Sequence, residues 1–181
     1  VNDPAVDEQT RLSRQENSGD AAAGDRLARY SPWIGLVARL VLGGVFLLAG
    51  FSKIFTPLAS ARSVQAYQIF PFEVAAAIGY ALPVVEIALG LLIVFGLFTR
   101  WTALLGTVIM VIFIIGIASA WARGLTIDCG CFGDGGFVEP GKTKYPQDIA
   151  RDLVFVAAGS WLLWRPVTAL SLDAWLSRRA G

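Results

Sequence analysis

Histidine does not occur in this chain, charged residues are scarce at 16%, and there are only two cysteines and one methionine. Without histidine, the side chain that most often serves as a general base near neutral pH is missing, and so is the commonest metal ligand. Soluble domains carry about 25% charge, so this chain has too little for an ordinary water-facing surface. The formal net charge is +1, and no basic stretch is interleaved with aromatics, which sets nucleic-acid binding aside. What the chain has instead is apolar residue, 55% of 181 positions, gathered into long runs. That distribution is the signature of an integral membrane protein.

Residues 1–30 are polar, with mixed charge and an Ala21-Ala22-Ala23-Gly24 patch, and read as a flexible tail. The Ala-rich patch precedes any apolar run, the reverse of a secretory signal. A first span is expected from about Trp33 to Phe55, opened by Ser31-Pro32 and apolar except for Arg39, Ser52 and Lys53. Its Gly43, Gly44 and Gly50 either permit close helix contact or reflect the general frequency of glycine in membrane helices. In the connector 56–72, Leu58, Ala61, Val64, Tyr67 and Phe70 recur at helical spacing, which predicts a short interfacial helix with Arg62 and Gln65 toward water.

A second span is expected from about Val74 to Phe98, with Pro83 and Glu86 near its middle. The turn Thr99-Arg100 leads to a third, Trp101 to Trp121, uncharged within and bounded by tryptophans as an aromatic belt would have it. A polar loop follows from Ala122 to Tyr145. Pro146 opens a fourth helix with Asp148 and Asp152 near its start. Its apolar part, Leu153 to Trp164, is the shortest of the four and spans only if the first turn is counted, since roughly 20 residues cross a bilayer core. Arg165-Pro166 end it, and Val167 to Arg179, with Leu170, Trp175 and Leu176 opposite Arg178 and Arg179, read as an interfacial tail. The expected fold is all-α: a four-helix transmembrane bundle with short interfacial helices. The membrane domain covers 31–166, between a polar tail (1–30) and an amphipathic one (167–181).

Four spans put both termini on one side. Arg26, Arg29, Arg100, Arg165, Arg178 and Arg179 flank that side, while Lys53, Arg62, Arg123, Lys142, Lys144 and Arg151 flank the other in equal number, so charge does not set orientation. Arg11 and Arg14 tip it slightly toward termini inside. A paired-cysteine loop belongs in an oxidising compartment, which also places the termini in the cytoplasm and the cysteine loop outside, in a multi-pass protein of the cell membrane.

That loop is Asp128-Cys129-Gly130-Cys131-Phe132-Gly133. Two thiols separated by one residue close a strained disulfide ring, easily reduced and suited to exchange rather than to stapling. Gly130 and Gly133 permit the backbone this needs. Asp128 opposes thiolate formation at Cys129, and Lys53 favours it if close. Two other readings stand beside exchange: an inert loop or disulfide, and a copper(I)-type thiolate site, for which no third ligand is evident because Met110 lies within the third span. Within the spans, Arg39 and Glu86 read as a structural ion pair between two helices, or as a proton or quinone-headgroup site. Arg151 and Asp152, heading the fourth helix, either order the cysteine loop or meet lipid headgroups.

Taken together, these residues resemble the DoxX/MauE family of redox-associated membrane proteins. The resemblance begins with Arg39 through Gly44, Phe46, Gly50 and Lys53. It continues through Ala66-Tyr67, Phe70-Pro71, Pro83, Glu86, Gly90, Gly96 and Thr99-Arg100, and ends in the cysteine loop and Arg151-Asp152-Leu153. It covers roughly residues 33 to 164, and the cysteine loop points to the MauE branch. It implies a four-helix bundle and a role beside a thioredoxin-like partner in disulfide formation for methylamine utilisation. Asp152 departs from the pattern, in which asparagine more often follows the arginine. The leading expectation is thiol–disulfide exchange through Cys129 and Cys131 with a thioredoxin-like protein, a quinone being the candidate acceptor. Its rival is a non-enzymatic accessory subunit of a larger membrane complex, with the loop only structural.

Overall fold

The computed structural model describes residues 30–131, 135–139, 141–165, 168, 171 and 172. The expected polar tail up to residue 29, Phe132 and Gly133 of the loop, Pro166, and most of the expected C-terminal tail, including Leu170, Trp175, Leu176, Arg178 and Arg179, lie outside these residues. Among the described residues there are five helices: α1 (Tyr30–Ile54), α2 (Pro57–Ala66), α3 (Phe72–Phe95), α4 (Thr99–Ala122) and α5 (Tyr145–Trp164). Between α4 and α5, β1 (Ile127–Asp128) pairs antiparallel with β2 (Gly136–Phe137). This small hairpin is absent from the expected all-α fold. The β-branched Thr126-Ile127 and the Phe137-Val138 pair around Gly135-Gly136 were too short a signal to read as strands.

Helices α1, α3 and α4 are long and apolar enough to cross a membrane. Their outward faces expose Val37, Leu48, Val84, Ile112 and Ile115, a distribution that suits lipid and not water. Trp101 and Trp121, near the two ends of α4, are also exposed. With 20 residues α5 is about 30 Å long, bilayer length, but Asp148, Arg151 and Asp152 crowd its first turns. One core unites residues from all four long helices: Leu42 and Phe46 of α1, Ile93 of α3, Ala103 and Met110 of α4, and Leu162 of α5.

Glycines set the spacing between α1 and α3. A Cβ at Gly50 would stand 2.9 Å from the Pro83 carbonyl oxygen, and one at Gly90 the same distance from the Leu47 amide nitrogen. Gly43 likewise meets Gly90 and Val94, whereas Gly44 faces open space. Two of the three expected contact glycines therefore lie on the seam and the third does not. The turn between α3 and α4 comes earlier than expected. Gly96, left-handed at φ +65°, ends α3, with the Leu97 amide donating to the Leu92 carbonyl and the Gly96 amide to the Ile93 carbonyl. This double closure ends a helix firmly, so Thr99 and Arg100 start α4 instead of forming the turn.

Helix α2 forms as expected but buries a different face. Ser60, Ala61, Ser63 and Ala66 are buried, while Leu58 and Phe70 are half exposed. Proline supplies the reason. Pro83 has no N–H, so the Gly79 carbonyl one turn earlier in α3 loses its helical donor. The Ser60 hydroxyl takes its place, donating to Gly79 O at 2.7 Å. Gly79 lets α2 come this close, since a side chain there would strike the Ala61 backbone. The result is a helical hairpin docked through small and polar residues, packed on α3 instead of lying loose on its apolar stripe.

Candidate functional site

Cys129 follows β1 directly, and both cysteines are free thiols, partly buried. The loop turns at Gly130, left-handed at φ +65°, and its amide donates to Asp128 Oδ1 at 3.1 Å. Gly130 packs on α2: a Cβ there would stand 2.7 Å from Ser63 Oγ. Gly135 closes on the same hydroxyl from the returning strand, where its own Cβ would stand 2.6 Å away. Two glycines and one serine thus let the loop lie flat against α2, and both cysteines line a small cavity there.

Three tyrosine and arginine side chains hold the loop's surroundings. The Tyr67 hydroxyl, just past α2, donates to the Cys129 carbonyl at 3.1 Å. The Tyr145 hydroxyl, at the start of α5, accepts from the Ile127 amide at 3.0 Å and donates to the Leu125 carbonyl. Arg123 donates to the Tyr67 and Gln68 carbonyls, tying the end of α4 to the end of α2. Burial, reinforced by the two neighbouring cysteines, pushes the Tyr67 phenol well up, so it stays a donor.

The two thiols are not equivalent. Hydrogen bonding from the Cys131 thiol pulls Cys129 below the usual thiol range, against the opposing effect of burial. The Cys131 amide also donates to Cys129 Sγ at 3.4 Å, and Arg151 Nη2 lies 3.8 Å from the same sulfur. Cys131 is pushed well up, first by its bond to Cys129 and then by burial. The two shifts run in opposite directions and make Cys129 the more acidic thiol of the pair. The carboxylate acting against it is Asp148, whereas Asp128, expected in that role, is engaged by the Gly130 amide.

Arg151 is partly exposed and held by two carboxylates. It bonds Asp152 Oδ1 at 3.0 Å through both Nε and Nη2, and Nη1 meets Asp148 at 3.1 Å. Asp152 is buried, and its Oδ2 has no hydrogen-bond partner among the described residues. Asp152 thus fixes the guanidinium that reaches Cys129 Sγ.

The intramembrane charges pair differently from expectation. Glu86 is bonded by Lys53, Nζ to Oε1 at 2.7 Å, with both side chains almost wholly buried. Arg39 instead donates to Thr168 Oγ1 at 2.9 Å, and it packs at Gly96 at the opposite end of the bundle. The glycine seam decides this. It sets Gly50 beside Pro83 and Ile87, so Lys53, almost one turn further, reaches Glu86. Arg39 falls level with Gly96, ten residues from Glu86 and about 15 Å along the helix. An Arg39–Glu86 pair is therefore ruled out by the register.

Lys53, Ser60, Ser63 and Tyr67 line a cavity of about 40 Å³ together with Cys129 and Cys131. A water needs roughly 10–15 Å³ of such volume, so the space admits a few waters between the dithiol and the Lys53 ammonium. Among the described residues no group of three His, Cys, Asp or Glu side chains converges to hold a metal ion. Tyr67, Ser63, Tyr145 and Asp148 are the members of the site that sequence reasoning did not assign. Tyr67 stood in the resemblance beside Ala66 and on the apolar stripe of the connector, and neither signal pointed to the cysteine loop.

The sequence model of one family, described as Methylamine utilisation protein MauE, matches residues 31–165. No curated protein and no solved structure matches the chain.

Proposed function

The chain belongs to the methylamine utilisation protein MauE family, and from that premise we propose that it is a membrane thiol–disulfide exchange protein working through Cys129 and Cys131. The observation that carries this is the asymmetric pair: the Cys131 amide donates to Cys129 Sγ at 3.4 Å and Arg151 Nη2 lies 3.8 Å from it, which favours a thiolate there, while the bond to Cys129 and burial push Cys131 up. Cys129 attacks or is attacked by the sulfur of a partner disulfide, and Cys131 resolves the mixed disulfide. The partner is a thioredoxin-like protein on the outer side of the membrane. An open groove of about 510 Å³ beside the loop, between α2 and β2, supports docking there, with Phe72 and Phe137 exposed along it.

In this reading α5 is the fourth span, completing a transmembrane four-helix bundle in the cell membrane with the cysteine loop outside and the termini in the cytoplasm. The core shared by α1, α3, α4 and α5 supports it. The test is a redox titration of the purified full-length protein with a thioredoxin-like Cys-x-x-Cys protein, read by alkylation mass shift. Reciprocal change in the two proteins' thiol content is expected. If neither exchanges, and replacing both cysteines alters no partner's redox state in cells, the accessory-subunit role takes its place.

A further inference from the structure

After passing its disulfide to a partner the pair is a dithiol and needs an oxidant. A disulfide closed over one intervening residue is strained and so of high potential, which demands an acceptor stronger than the soluble thiol pools. On the outer side of the helices a second groove backs onto the cavity of the pair. A groove of about 120 Å³ lies between α2, α3 and α4. Its rim residues Ile69, Phe70, Ile78 and Ile112 are exposed on the outer surface of the helices. Its inner wall is shared: Val64, Tyr67, Leu82 and Phe113 line both this groove and the cavity holding Cys129 and Cys131. Gly116 opposes the Tyr67 ring, 3.5 Å from where its Cβ would be, and leaves the floor flat.

From this shared wall we infer that the groove binds the ring of a membrane quinone, which oxidises the dithiol. The inference rests on the exchange reading above and supplies its electron acceptor. The lining has a single polar side chain, the Tyr67 phenol, which excludes charged and water-soluble oxidants. A closed cavity of roughly 150 Å³ binds benzene, so the volume suits one six-membered ring. It falls well below the roughly 300–1,000 Å³ of a pocket that encloses a whole drug-sized molecule, and the apolar tail stays in lipid.

In the reaction the Cys129 thiolate attacks the quinone ring. Cys131 sulfur then attacks Cys129 Sγ, so that the S–S bond forms as the sulfur–ring bond breaks. The Cys129 thiolate and the Cys131 thiol together lose two electrons and one proton. The ring keeps both electrons, its two oxygens take that proton and one from water, and it leaves as quinol.

The test uses the full-length protein, reduced and purified in nanodiscs, mixed with a decyl-substituted benzoquinone. Quinol absorbance and cysteine alkylation are followed together. One quinol per Cys129–Cys131 disulfide is expected. Ile112→Trp and Ile78→Trp, both rim positions that tolerate bulk on the lipid side, slow the reaction by about tenfold or more. Oxidation of the same variants by a water-soluble Cys-x-x-Cys disulfide protein stays at the wild-type rate, which shows that they are folded. If that protein oxidises the pair and the quinone does not, the quinone site is overturned and the exchange reading survives. If neither oxidises it, the exchange reading falls as well. If quinone oxidises wild type and both variants equally, the groove is not the site and holds only lipid.

Discussion

Cys129 sulfur is approached by the Cys131 thiol, the Cys131 amide and the Arg151 guanidinium, while its own carbonyl is held by Tyr67. Such donors favour the charged form. Alkylation with iodoacetamide is therefore expected to modify Cys129 first, at a pH below the ordinary thiol value of about 8.5, with Cys131 reacting only well above it. Because the Cys129 pKa is lowered, its reactive fraction is already present below that value, and it is lost only as pH falls through the shifted pKa. Arg151→Met removes one donor and moves the Cys129 profile upward by about half a unit to one unit, on the order of 1 kcal/mol. Peptide mapping across a pH series checks both, and equal reactivity of the two thiols would contradict the asymmetry. At this scale the sequence showed the pair and the need for Gly130. It did not show Asp148 or Tyr67, because their relation to Cys129 depends on how α2 and α5 are brought to the hairpin.

At the scale of elements, two devices hold the bundle, and each makes a coupled prediction. Lys53 and Glu86 are buried and bonded at 2.7 Å. Removing one partner of such a pair costs about 3–5 kcal/mol, while replacing both with apolar residues is close to neutral. Lys53→Met alone should destabilise the protein by that amount in chemical denaturation, and Lys53→Met with Glu86→Leu should recover most of it. The second device is Ser60 donating to the carbonyl that Pro83 frees. Ser60→Ala leaves Gly79 O buried without that donor, at a cost of about 1–3 kcal/mol. Adding Pro83→Ala restores a helical N–H for that carbonyl, so the cost of Ser60→Ala shrinks in the Pro83→Ala background, and a double-mutant cycle measures the difference. Helix positions were legible from the apolar runs and from Pro32 and Pro146 at or near helix starts. Pairing was not. Sequence spacing does not give the relative height of Arg39 and Glu86, because the α1–α3 register is set by where Gly43, Gly50 and Gly90 allow contact.

For the whole molecule, the arrangement places the cysteine pair where the hairpin meets α2 and Arg151 of α5, with one groove beside the loop and another between α2, α3 and α4. Family and membrane character were legible in the ordered motifs and the apolar composition. The β-hairpin that presents Cys129 was not, since two-residue strands lie below any periodicity. Topology is tested in a variant lacking Cys129 and Cys131, with one cysteine introduced at a time. Lys142→Cys should react with an impermeant maleimide on intact cells. Arg100→Cys and Arg165→Cys should react only after permeabilisation, the latter because α5 crosses. Labelling of Arg165→Cys together with Lys142→Cys would return α5 to the surface.

The central claim is that Cys129 exchanges and Cys131 resolves, and trapping tests it most directly. Cys131→Ser removes the resolving thiol, so a mixed disulfide between Cys129 and an oxidised thioredoxin-like protein should accumulate. It should appear on a non-reducing gel as a covalent species that disappears on reduction. Cys129→Ser should give none. No covalent species from Cys131→Ser, or equal trapping by Cys129→Ser, would contradict the account.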